Sequence, residues 1–139
     1  MIRRGVRLGL TGMVVVGLSV TEASSQTVQL QRVMREKLQQ SQGLLAALVT
    51  SDWVVLEQRS RDLERLTNDP AWAVLKTPEY ARYGSAFAEA IRDLIEAARQ
   101  RDQEGAPLAY VSLTLSCVRC HQVVARRRQA NSTATGDKN

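Results

Sequence analysis

The two cysteines and the one histidine of this 139-residue chain stand together as Cys117-Val118-Arg119-Cys120-His121. Two thiols three residues apart, with an imidazole directly after the second, form the C-x-x-C-H pattern of covalent haem attachment: the thiols add across the vinyl groups and the histidine binds the iron. On a helix this spacing has a geometric reason. Cys117 and Cys120 lie three apart and Cys117 and His121 four apart, so all three side chains leave one face within a single turn. A flat macrocycle is then pinned at two edges while the imidazole rises to its centre.

Three other chemistries compete for the same residues. A structural zinc site wants four N or S ligands, and the sequence has no further cysteine or histidine to offer. A plain disulfide gives the adjoining His121 no role. A thioredoxin-like dithiol is the strongest rival, because residues Tyr110 to Ser116 alternate with period two and read as a strand running into C-x-x-C. Only 19 residues follow Cys120, however, too few for the remaining elements of such a fold.

Haem attachment of this kind takes place outside the cytoplasm, and the N-terminus reads as an export signal. Met1 to Arg7 is basic, Leu8 to Val20 is an apolar run, and Ala23-Ser24-Ser25 suits cleavage before Gln26. The run is shorter than the roughly 18 residues of a membrane span, so no stable span is expected; an uncleaved anchor is the alternative. No cysteine near the cleavage region offers a lipid anchor, and the pattern around Arg3-Arg4 is a poor twin-arginine signal. A periplasmic location follows as the expectation. Loss of residues 1–25 removes three arginines and Glu22, which lowers the formal charge of +5 by two and leaves a chain sized for one domain. That mild excess, without a basic stripe interleaved with aromatics, gives no ground for nucleic-acid binding. Arg126-Arg127-Arg128 reads as the end of a helix, with docking of an acidic redox partner as the other reading.

Four helices must position the motif. The first, about 27–49 with Thr27 as cap, carries Leu30, Met34, Leu38, Leu45 and Leu48 on one stripe, with Arg32, Arg35, Glu36 and Lys37 outside or flanking it. The second starts at Ser51-Asp52, continues through Trp53, Leu56, Ser60, Leu63 and Leu66, and ends at Asn68-Asp69-Pro70. The third opens at Thr77-Pro78-Glu79, buries Tyr80, Gly84, Phe87, Ile91, Leu94 and Ala98, and is stopped by Gly105. The fourth starts at Pro107 and runs to about Arg128. On its wheel Tyr110, Leu113, Thr114, Cys117, Cys120, His121 and Val124 share one side, while Leu108, Val111, Leu115 and Val118 gather opposite, with a polar strip of Ser112, Ser116 and Arg119 between. A helix apolar on two sides is expected to be buried on both. From Gln129 the chain is polar and is expected to fray.

Short links favour antiparallel neighbours, hence an all-α fold: an antiparallel up-down-up-down four-helix bundle with covalent haem near one end. In that arrangement Met34 and His121 each lie about 10 Å from the same end and can face one another across the haem. Met34 is the sole methionine after the signal; an adaptable core filler is its other reading.

A terminal Cys117-x-x-Cys120-His121 helix combined with an N-terminal Gln31-Arg32-Val33-Met34 helix resembles the class II c-type cytochromes, the cytochrome c-prime group and its methionine-ligated low-spin relatives, over roughly residues 27–128. The resemblance implies thioethers at Cys117 and Cys120, a proximal bond from His121 and a sixth ligand from Met34, which in the c-prime type would instead be an apolar shield over an open iron face. It also implies a homodimer. Arg32 and Arg35, beside Met34, are candidates to meet the propionates. The link Thr67 to Thr77, apolar at Trp72, Val74 and Leu75, is expected to fold over the pocket with Trp72 and Tyr80 near the macrocycle, or else to cap the core end.

The expected organisation is thus a signal peptide over 1–25, a haem domain over 26–128 and a polar tail over 129–139. The expected function is electron transfer between redox partner proteins by one haem c, with nitric oxide or carbon monoxide binding at a five-coordinate iron as the alternative. No acid/base constellation is assembled around an open site, so no enzymatic activity is expected.

Overall fold

The computed structural model describes residues 19–72 and 77–136, with side chains over 25–72 and 77–134. Among the described residues the chain is all-helical: α1 (Ser19–Val49), α2 (Trp53–Leu66), a short 3-10 turn (Pro70–Trp72), α3 (Pro78–Gln100) and α4 (Gly105–Gly136). Most of the expected signal segment lies outside the described residues, as do Val74 and Leu75.

Local chemistry explains most boundaries. Asp52 caps α2 by accepting from the Val55 amide at 3.1 Å, and Ser51 before it takes a left-handed φ of 54° to turn the chain. Thr77 caps α3 by accepting from the Tyr80 amide at 3.2 Å, with Pro78 in the first turn, as the sequence implies. The end of α3 differs from expectation. Gly105 does not stop it: Arg101 does, entering the left-handed region at φ 54° while its amide and that of Asp102 return to Ala98 and Ala97. Gly105 instead opens α4. The Asp102 carboxylate accepts from the amides of Glu104 (3.0 Å) and Gly105 (2.9 Å), and a Cβ at 105 would collide with that carboxylate.

Leu44, Leu56, Leu63, Ile91, Leu94 and Leu113 are fully buried in one core to which all four helices contribute. The stripes of α2 and α3 are as expected, with Leu56, Ser60, Leu63 and Leu66 buried on one and Tyr80, Phe87, Ile91, Leu94 and Ala98 on the other. The α1 stripe is as expected only in part: Leu48 packs against the core and Met34 is half-buried. Val33, Leu44 and Ala47 face the core, whereas Leu38 and Leu45 are exposed. Thr27 lies inside α1, which is helical from Ser19 onward among the described residues, rather than at a helix start.

The expectation for α4 is also corrected. Its buried line is Ala106, Ala109, Leu113, Ser116 and Val123, while Leu108, Val111, Leu115 and Val118 are 69, 54, 44 and 48 % exposed. One apolar side therefore packs and the other faces solvent. Ser116, expected in a polar strip, is buried and returns its hydroxyl proton to Leu113 O at 2.6 Å. The helix persists past Arg128 to Gly136, so the polar stretch expected to fray is helical, with its side chains exposed through Ala134.

Candidate functional site

α3 packs closely against α2 and α4, and α1 against α2, but α1 and α4 touch over only a short stretch. The space between them is a cleft of about 890 Å³. Met34, Leu38 and Ser41 line it from α1, and Thr114, Cys117 and His121 from α4. Its size falls within the range of small-molecule and cofactor sites. Tyr110 closes one end of the cleft, donating its hydroxyl to Ser41 O at 3.2 Å.

A smaller recess continues the cleft inward. Met34, Cys117 and His121 line both spaces, and Cys120, Trp72 and Tyr80 join them in the recess. The four residues singled out from the sequence, Cys117, Cys120, His121 and Met34, are thus brought to one place by α1 and α4. Residues 110–116 are helical, which removes the strand on which the dithiol reading relied. Both cysteines are free thiols. Burial pushes the Cys120 thiol above its ordinary pKa. Among the described residues no group of three or more His, Cys, Asp or Glu side chains is placed to hold a metal ion.

Trp72 reaches the recess from the 3-10 turn. Its ring sits 5.2 Å from Phe87, and its carbonyl accepts the Tyr80 hydroxyl at 2.6 Å. The hydroxyl bond ties the turn to the first turn of α3.

Sequence reasoning missed Lys37. Its ammonium lies 3.4 Å from the centroid of Trp72 and 4.0 Å from that of Phe87, and its side chain lines both cleft and recess. Burial lowers its pKa from 10.5 to about 8, against a smaller opposing pull from the Cys117 and Cys120 thiols. The missed signal was position: Lys37 follows Met34 by three, on the inward side of α1, but charge alone assigned it outward. Of the two arginines beside Met34, Arg32 is engaged by Glu36 (3.2 Å) and Asp69 (2.6 Å), whereas Arg35 lines the cleft.

No known family, curated protein or solved structure matches this chain.

Proposed function

We propose that this chain is a periplasmic monohaem c-type cytochrome of the class II kind, carrying single electrons between partner proteins. One haem c would be attached through Cys117 and Cys120, with His121 and Met34 as metal ligands. The observation that carries the reading is that a C-x-x-C-H motif on α4 and the inward methionine of α1 line one apolar cleft large enough for a macrocycle. The donor set fits: two thiols for the vinyl edges, an imidazole and a thioether for the iron.

The contacts support an antiparallel up-down-up-down bundle. Going up α1, Arg32 meets Asp69 beyond the end of α2 and Gln40 meets Arg59 within it, so the partner numbers fall. Tyr110 meets Ser41, while His121, eleven residues on, shares the cleft with Met34, seven residues back. Along α4 the α1 partners also fall. Such a bundle sets the ligand-bearing turns of α1 and α4 level with each other.

When bound, the haem supplies a reversible one-electron couple. The chain supplies the rest. Leu38, Phe87 and Tyr110 would help exclude water from the bound group, the His121 imidazole and Met34 thioether would hold its iron, and Arg35 would offer a cation at the cleft wall. Nothing in this role requires substrate turnover. The test is optical spectroscopy of the reduced protein with and without carbon monoxide. A low-spin spectrum unchanged by the gas is expected. A high-spin spectrum with rapid gas binding would replace the carrier by the five-coordinate, gas-binding alternative.

A further inference from the structure

The outer side of α4 carries an apolar row that the proposed haem does not cover. Leu108, Val111 and Leu115 are exposed outside the cleft, and Val118 sits on its rim. They point away from the buried line Ala106, Ala109, Leu113 and Ser116, by which the helix joins the core. A continuous solvent-facing row marks an interaction surface rather than ordinary scattered exposure. Charge says what covers it. From Gly105 to Gly136 the helix has no Asp or Glu, yet it carries Arg119, Arg126, Arg127 and Arg128, all exposed. Arg119 and Arg126, one heptad apart, border the row, and Arg127 and Arg128 leave the helix on its two flanks. Among the described residues only Arg126 of the four is ion-paired, to Glu79 at 3.2 Å. The exposed Glu104 stands ahead of the first turn, at the end away from the arginines. Ser112, beside the row, gives its hydroxyl proton to Leu108 O at 3.1 Å, so that donor is met within the helix, as surroundings of low polarity require.

We infer that the outer side of α4 docks on the surface of an anionic phospholipid bilayer, the row sinking into the headgroup boundary and the arginines meeting lipid phosphates. An apolar row flanked by arginines is the pattern of helices that lie in the plane of a membrane. A protein partner fits less well. A stable protein interface buries about 800 Å² per side, more than a four-residue row offers, whereas a bilayer needs no matching surface. The helix lies on the bilayer rather than across it. α4 has the length and mean hydropathy of a span, but spanning would pull Leu113 and Val123 from the core and carry Arg119 into hydrocarbon. Because Val118 belongs to both row and cleft, docking brings the cleft mouth beside the membrane. The inference stands apart from the haem reading, since the row and the arginines are exposed whatever the cleft holds.

Co-sedimentation with lipid vesicles tests it, using exported, purified protein whose mass shows that the signal has been cleaved. Binding is expected to vesicles of phosphatidylcholine mixed with phosphatidylglycerol and not to phosphatidylcholine alone, and it should weaken with added salt. Arg119→Gln, Arg127→Gln and Arg128→Gln together should lower the affinity about a hundredfold. Val111→Ser with Leu115→Ser should lower it about tenfold or more, with helicity unchanged by circular dichroism. A wild type that ignores the mixed vesicles at low salt overturns the inference, as does equal binding to both kinds of vesicle or indifference to either set of changes. Self-association that the two serines abolish, in protein that ignores vesicles, would give the row to a second protein chain instead.

Discussion

Replacing Lys37 by methionine should stabilise the chain that has not acquired haem, and the gain should vanish with rising pH. Lys37 keeps a folded pKa of about 8 against an ordinary 10.5. A lysine whose pKa is lowered by folding withholds stability while it is charged: the fold gains as pH rises from the folded value through the unfolded one, and loses as pH falls through about 8. At ~1.4 kcal/mol per unit, the lowering corresponds to roughly 3 kcal/mol near neutrality. The ammonium recovers about 1–2 kcal/mol from the faces of Trp72 and Phe87, so the net gain for Lys37→Met is about 1–2 kcal/mol at pH 7. Urea unfolding of residues 26–139, produced without export, measures it at pH 7, 9 and 10.5. Because the Cys117 and Cys120 thiols couple to Lys37, both proteins carry Cys117→Ser and Cys120→Ser for this comparison. A variant less stable than wild type at pH 7, or a gap that does not shrink toward pH 10.5, would refute the burial argument.

Other outcomes follow from individual contacts. Arg101→Gly should stabilise by about 1 kcal/mol in thermal melts, because a left-handed φ of 54° is strained for a residue with a Cβ. Asp102→Ala should lower the melting temperature by removing the acceptor for the Glu104 and Gly105 amides. Those amides hold the Asp102 carboxyl below its ordinary pKa; its contribution is therefore full above about pH 4 and lost as pH falls through the lower folded value, so the cost of Asp102→Ala should disappear in acid denaturation curves. Trp72→Ala should cost about 2 kcal/mol in urea unfolding, since Trp72 is half-buried against Phe87, and should raise the Lys37 pKa in an NMR titration by admitting water. Met34→Leu in the haem-loaded protein should abolish the sulfur-to-iron charge-transfer band of the ferric form while leaving covalent haem in place.

How far the residues spoke for themselves depends on what each pattern encodes. The starts of α2 and α3 were legible because Asp52 and Thr77-Pro78 act within their own turn. The grouping of Cys117, Cys120 and His121 was legible for the same reason, being a matter of one helical turn. Met34 came from uniqueness and spacing, and the fold does bring it to the cleft. Apolar periodicity was less informative, because it marks a face without saying what covers it. Thus Leu45 was expected inside and lies outside, Leu38 turns to the open cleft rather than the core, and the second face of α4 meets solvent. Gly105 was read as a stop, but its role depends on Asp102 folding back onto it, a contact no propensity reports. Lys37 was hidden most thoroughly. Only the meeting of α1 with Trp72 and Phe87 makes an inward lysine tolerable.

Covalent attachment of haem to Cys117 and Cys120 is open to intact mass spectrometry of the exported, purified protein under denaturing conditions. The expected product is a red protein heavier than its amino acids by one haem, with the extra mass lost when Cys117 and Cys120 are both changed to serine. A colourless protein whose mass equals that of its amino acids alone would contradict it.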